Sequence, residues 1–213
     1  MGVSEFVASQ LRKPSGLFGR FVMPRFLNRA NVAINQLTLA SLALEPDDRV
    51  IEVGCGAGDL INRVAPVVVK GSIAGVDFSP EMVEFCTKRF ASLVRAGRVE
   101  LRCASAESLP YDADRFTKAC AVNTVYFWPH PAVPLNELWR VLRVGGTLVL
   151  GFSPRTTMQR LPVTKHGFTL YDPGQIRRLL EDAGFGSIEM IPGSDRRGEF
   201  MCAIGTKYGE GAV

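Results

Sequence analysis

Four short stretches carry residues whose types and spacing suit chemistry. The first is Glu52-Val53-Gly54-Cys55-Gly56-Ala57-Gly58, an acidic residue followed by glycines at every second position. Residues without Cβ allow positive φ and let a ligand approach the main chain closely, so this stretch reads as a ligand cradle. The second is Asp77, 23 residues beyond Gly54, whose carboxylate can accept both hydroxyls of a ribose. The third is Ala104-Ser105-Ala106-Glu107, and the fourth runs from Asn123 through Tyr126-Phe127-Trp128-Pro129 to His130. The aromatic trio suits the wall of a planar or apolar site. His130 is the candidate general base, because imidazole titrates near neutrality, and His166 is a second one.

The surrounding elements explain how these residues would be positioned. The run 49–53 reads as a buried strand, and 58–69 as a helix frayed or bent by Pro66. Residues 72–77 read as a second strand. Ser79 then serves as N-cap and Pro80 as first helical residue of a helix reaching about 94. Strands are expected at 98–103, 116–122 and 146–152, with a helix at 131–142 before the last of these. Upstream, 22–43 reads as one helix with Pro24 near its start and Leu27, Ile34, Leu37 and Leu42 among its apolar positions. Residues 153–171 read as irregular, followed by a helix over 176–183 with a capping-box spacing at Asp172. Two late strands, 186–191 and 199–206, flank a turn at Pro192-Gly193-Ser194-Asp195 and form an antiparallel hairpin at one sheet edge.

Spacing narrows the ligand. A dinucleotide fingerprint, G-x-G-x-x-G, needs a third glycine at position 59, where this chain has Asp. The pattern E-x-G-x-G-x-G over 52–58 instead resembles motif I of the class I S-adenosylmethionine (SAM)-dependent methyltransferases. Ala104 to Tyr111 is similar to that family's G-D-A-x-x-L-P-F segment, and Leu135 to Leu148 looks like its L-x-E-x-x-R-V-L-k-P-G-G-x-l, with Val144 for the common Pro. The elements cover about residues 49–152, and Leu179-Leu180 through Phe185 also fits. Within the family, the resemblance is to small-molecule enzymes grouped with the ubiquinone and menaquinone C-methyltransferases.

The resemblance implies an α/β fold: a Rossmann-like, doubly wound, mostly parallel seven-stranded sheet with an antiparallel edge strand and helices on both faces. It implies SAM as cosubstrate. The expected binding set is Glu52, Gly54, Cys55, Gly56, Gly58, Asp77, Phe78, Ser105, Ala106, Glu107 and Asn123. By the same resemblance Ala106 offers a backbone N–H to adenine, Ser105 replaces a frequent Asp, and Asn123 orients the donor. Glu52 would favour the ammonium or, through water, the ribose side. The methionine carboxylate would sit at the glycine turn and helix start.

Composition bounds the rest. At 213 residues, the chain is expected to be a single domain, with 1–44 a helical cap and 45–213 the core. Five cysteines without a C-x-x-C pair form neither a disulfide framework nor a zinc site, which points to a reducing cytoplasm and no metal. No apolar stretch is long enough to span a bilayer. The net charge of +4 is concentrated in residues 1–44, which hold Arg12, Lys13, Arg20, Arg25 and Arg29 against Glu5. Such a segment could face an anionic substrate or a membrane surface, or be a solvated helix face.

The expected partner is therefore a small acceptor, aromatic or lipid-like, rather than nucleic acid. The [DN]-P-P-Y motif of nucleobase methylation is broken by Thr124-Val125. A non-catalytic SAM-binding protein and an RNA or protein methyltransferase are the rival readings. The cap and the 153–171 segment are expected to close over the site and exclude water.

Overall fold

Strand β1 (Arg49–Val53) lies at the centre of the sheet, and its period-2 alternation sends its side chains to two different cores. Ile51 and Val53 enter one cluster with Leu135, Leu138 and Leu150, while Val50 joins Leu60, Ile61 and Cys86 on the opposite face. Glu52 shares the face of Val50, so one strand residue before the glycine turn is a buried carboxylate. The computed structural model describes residues 2–209, without the side chains of residues 17, 20, 21, 24, 27 and 28. The expected domain ends at Met1 and Val213, and the side chains of Pro24 and Leu27, lie outside the described residues.

Seven strands stand in the order β3-β2-β1-β4-β5-β7-β6. After β1 come α5 (Asp59–Val64), β2 (Ser72–Asp77), α6 (Pro80–Arg89), α7 (Ala91–Arg95) and β3 (Val99–Cys103) on one side. β4 (Phe116–Val122), α8 (Ala132–Val141) and β5 (Leu142–Phe152) build the other side, all parallel to β1. The order reverses at β1, and the crevice there, at the carboxyl ends of β1 and β4, is where doubly wound sheets bind ligands. α10 (Pro173–Asp182), β6 (Phe185–Asp195) and β7 (Gly198–Lys207) finish the sheet. β7 pairs antiparallel with both β5 and β6. Helices cover both faces, α8 and α10 against one cluster and α4 (Val32–Leu42), α5 and α6 against the other.

Several elements differ from their sequence-based outlines. The expected helix 22–43 is two helices, α3 (Met23–Ala30) and α4 (Val32–Leu42), broken at Asn31. Two more precede it, α1 (Val3–Arg12) and α2 (Gly16–Phe21). α5 stops at Val64, because Pro66 has no N–H to continue the ladder. The helix after Ser79 breaks at Phe90 into α6 and α7. β5 begins at Leu142 rather than 146, absorbing Val144-Gly145-Gly146 beside an irregularity in its pairing with β4.

Pro192-Gly193-Ser194-Asp195 is not a turn but the end of β6, paired with 198–201. The loop is only Arg196-Arg197. Proline is tolerated because β6 is the sheet edge, where one side of the backbone has no partner strand. The segment 153–171 is not wholly irregular either: it contains α9 (Arg155–Met158) and a short 3-10 helix at Pro162–Lys165.

Candidate functional site

The glycine turn is built by positive φ at three alternate positions: +77° at Gly54, +50° at Gly56 and +72° at Gly58. L-residues resist that region because Cβ meets the carbonyl, at about 1–2 kcal/mol per residue. The N–H groups of Gly54 and Cys55 both donate to the Val76 carbonyl, at 2.7 and 3.1 Å, which anchors the turn to β2. Close packing adds a second constraint. A Cβ on Gly54 would lie 2.1 Å from Thr124 Cγ2, and one on Gly58 would lie 2.5 Å from Phe90 Cε2.

Two carboxylates flank this turn. Asp77, at the end of β2, accepts from the Gly56 N–H at 2.8 Å and from the Ser79 N–H at 2.9 Å. Burial raises its pKa, and those backbone donors oppose the rise. A carboxylate has about four acceptor positions, so Asp77 keeps capacity for a ligand hydroxyl. Glu52 is only 6% exposed, and its Oε2 has no hydrogen-bond partner. Its pKa is pushed well above the ordinary carboxylate value, first by desolvation and then by Cys86, Asp59 and Asp77. An unpaired buried acid is expensive to ionise unless a cation arrives.

Asp59 opens α5 and is tied on both sides. Asn35 Nδ2 of α4 donates to its Oδ2 at 2.9 Å, and Arg63 Nε donates to the same atom at 2.7 Å. The helical cap is thus fastened to the turn. The cap is also held through Ser79, whose Oγ donates to the Pro14 carbonyl at 2.7 Å. Ser79 therefore binds Asp77 through its backbone and the cap through its side chain.

The opposite wall rises from the end of β4. Asn123 adopts φ +56°, and its N–H donates to the Gly151 carbonyl at 2.8 Å. Its Nδ2 donates to Asn31 Oδ1, at the break between α3 and α4. The Tyr126 hydroxyl accepts from the Ser153 N–H at 2.5 Å and lies 3.3 Å from Asn123 Oδ1. Burial holds the Tyr126 phenol well above its usual pKa, so it stays protonated. Tyr126, Phe127 and Phe168 form an aromatic cluster, with the Phe127 and Phe168 centroids 4.6 Å apart.

These pieces enclose one cavity of about 700 Å³, within the range of small-molecule sites. Its polar end holds Glu52, Gly54, Cys55, Gly56 and Asp77, with Phe78, Ser105, Ala106, Glu107 and Asn123 alongside. The other end is walled by Tyr126, Phe127, Trp128, Met158, Leu161 and Phe168. The fold brings all but one of the expected binding residues onto this cavity. Gly58 does not line it, because it packs against Phe90 and Cys86 behind the turn.

The candidate bases stand elsewhere. His130 is exposed and does not line the cavity; the chain turns outward at Pro129, and the His130 carbonyl accepts from Val133 N as α8 begins. His166 is also exposed and does not line the cavity; its N–H donates to the carbonyl of the lining residue Val163. The single-residue reading missed several lining residues: Asn31 and Phe26 from the cap, Met158 and Leu161 after β5, and Arg197 from the β6–β7 loop. Asn31 carried a signal in its place as a helix-breaking polar residue. The others are brought in only by tertiary packing.

A family model described as a methyltransferase domain matches residues 50–146. The ubiquinone/menaquinone biosynthesis C-methyltransferase UbiE of Geotalea daltonii is 29% identical over 137 residues, 61% of this chain and 58% of that protein. UbiE of Geobacter sp. (strain M21) is 33% identical over 144 residues, 64% of this chain and 57% of that protein. The chain therefore spans little more than half the length of these curated relatives. Among solved structures, a chain from the complex of the Haloferax volcanii Trm112 methyltransferase activator with a methyltransferase aligns with a TM-score of 0.75 at 18% identity. That alignment covers 98% of this chain and 99% of the other, and it establishes the shared fold. The matched stretch begins in β1 and contains the glycine turn, Asp77 and the Ser105 segment, so this part of the chain, a little under half of it, is similar to a methyltransferase domain.

Proposed function

We propose that this chain transfers a methyl group from SAM to a small aromatic or lipid-like acceptor, leaving S-adenosylhomocysteine. The observation that carries the proposal is one cavity lined both by the acids and glycines of the turn and by a set of aromatic and aliphatic side chains. The relatives named for ubiquinone and menaquinone C-methylation support an apolar acceptor. In this reading residues 1–44 cap a single domain whose core is 45–213. A cytoplasmic setting is part of the proposal, supported by five free thiols.

The residues present fit SAM. The orphaned Oε2 of Glu52 suits an ammonium group, whose arrival would favour the ionised acid. Asp77 keeps lone pairs for ribose hydroxyls beyond those used by Gly56 and Ser79. Ser105 and Ala106 line the cavity, and in this reading they would face the adenine ring. When bound, SAM supplies a methyl group already activated by its sulfonium charge. The protein's work is then positioning and exclusion of water. Asn123, held by Asn31 and Tyr126, fixes the boundary between the two ends, and the aromatic cluster shapes the acceptor's side.

Neither histidine lines the cavity, which favours an acceptor that needs no imidazole base. The same observation keeps a second reading in view, a SAM-binding protein without turnover. Incubating the chain with methyl-labelled SAM and a metabolite extract separates the two. Label moving into an apolar small molecule supports transfer. Saturable SAM binding with no labelled product from any extract would favour the second reading.

A further inference from the structure

We propose that α3 and its flanks form a docking surface for an anionic lipid bilayer. The proposal goes beyond the methyl-transfer reading and can be tested without it. Val22, Arg25, Phe26 and Arg29 follow the spacing i, i+3, i+4, i+7, which puts them on one helical stripe. Val22 belongs to that register, since the Phe26 N–H donates to the Val22 carbonyl at 3.2 Å. All four are exposed, Phe26 at 52% and Val22 at 46%, and Val32, the first residue of α4 beyond the break, is exposed at 39%. Large apolar side chains alternating with guanidinium groups on an open face suit the boundary between lipid headgroups and acyl chains.

Charge agrees with that occupant. Residues 1–44 carry five basic residues against one acid. Among the described residues, Arg12, Arg25 and Arg29 have no ion-pair partner. Lys13 stands over the Phe78 ring. A nucleic acid would use the arginines but leave Val22, Phe26 and Val32 in water, so a lipid surface satisfies more of the patch.

The surface is also continuous with the cavity. Phe26 and Ala30 of α3, and Val7, Leu11 and Arg12 of α1, are among its lining residues, and Phe26 and Arg12 are also exposed to solvent. A chain seated on a bilayer by this stripe would hold the cavity mouth near the apolar phase, the route by which a lipid-like molecule enters without crossing water.

Co-sedimentation of the full chain with vesicles tests this directly. Pelleting with phosphatidylcholine–phosphatidylglycerol vesicles, weaker with phosphatidylcholine alone and released by salt, is expected. The Arg25→Gln/Arg29→Gln variant should lose about 30-fold in partitioning, the equivalent of ~1 kcal/mol per basic residue. Val22→Ser should weaken it further without altering salt release, and circular dichroism of each variant establishes that the fold is kept. No pelleting, pelleting that salt does not reverse, undiminished binding by the variants, or preference for an RNA or DNA duplex added in competition would overturn the proposal.

Discussion

Asp77 accepts a hydrogen bond from the Gly56 N–H at 2.8 Å, joining the end of β2 to the middle of the glycine turn. The acid that faces the cavity therefore also holds the loop beside it in shape. Its second oxygen takes the Ser79 N–H, and the Ser79 hydroxyl reaches Pro14 in the cap. Strand end, turn and cap are thus coupled through three consecutive contacts, so a ligand seated on Asp77 would stabilise all of them.

Glu52→Gln should make the free protein more stable at neutral pH while weakening SAM binding. The raised pKa means the folded chain holds this proton more tightly than the unfolded chain does. Stability from this group is then full below the ordinary value of 4.5 and falls as pH rises towards the folded pKa. Thermal melts across pH should show that decline in the wild type and a flatter profile in the variant. Calorimetry in buffers of different ionisation enthalpy should also detect proton release on SAM binding. Identical pH profiles would show that Glu52 is not the titrating group.

Gly54→Ala is expected to destabilise the fold by about 2–5 kcal/mol, the sum of left-handed strain and overpacking against Thr124. Thr124→Ser removes the methyl group that the new Cβ would strike. The double variant should recover the overpacking part but not the strain. Urea denaturation of the four proteins in the cycle checks this, and simple additivity would contradict the contact.

Tyr126→Phe leaves the Ser153 N–H without its acceptor and frees Asn123 on one side. A loss of about 1–2 kcal/mol is expected in denaturant titration. SAM affinity should fall with it, because Asn123 loses one of the groups holding it at positive φ. An unchanged midpoint would remove the network from the site's architecture.

His130→Ala should leave turnover of an identified acceptor within about 2-fold of wild type, since a surface substitution away from the cavity changes little. A loss of a hundredfold or more, with a shifted pH–rate profile, would restore His130 as a base.

The central sheet and the polar end of the cavity were legible because local signals fix them. A β-branched run, alternating glycines and an N-cap Ser79 followed by Pro80 each act over a few residues. Residues 22–43 read as one helix because apolar periodicity continues across Asn31, where the bond from Asn123 holds the break. Pro192 suggested a turn because the sequence puts the hairpin at a sheet edge without saying that β6, not β7, is its outer strand. His130 was attractive for its chemistry, but the direction of the chain after Pro129 depends on the packing of α8. The apolar end, from Met158 to Phe168, is assembled across loops that carry no periodic signal. No helix among the described residues is long and apolar enough to cross a membrane, which agrees with the hydropathy reading.

Titration calorimetry of the full chain with SAM, with NAD as the competing ligand, tests the central claim most directly. A one-site SAM isotherm is expected, weakened about 10-fold or more in Asp77→Ala, with circular dichroism showing the fold retained. Heat from NAD alone, or SAM binding unaffected by Asp77→Ala, would contradict the assignment of this cavity.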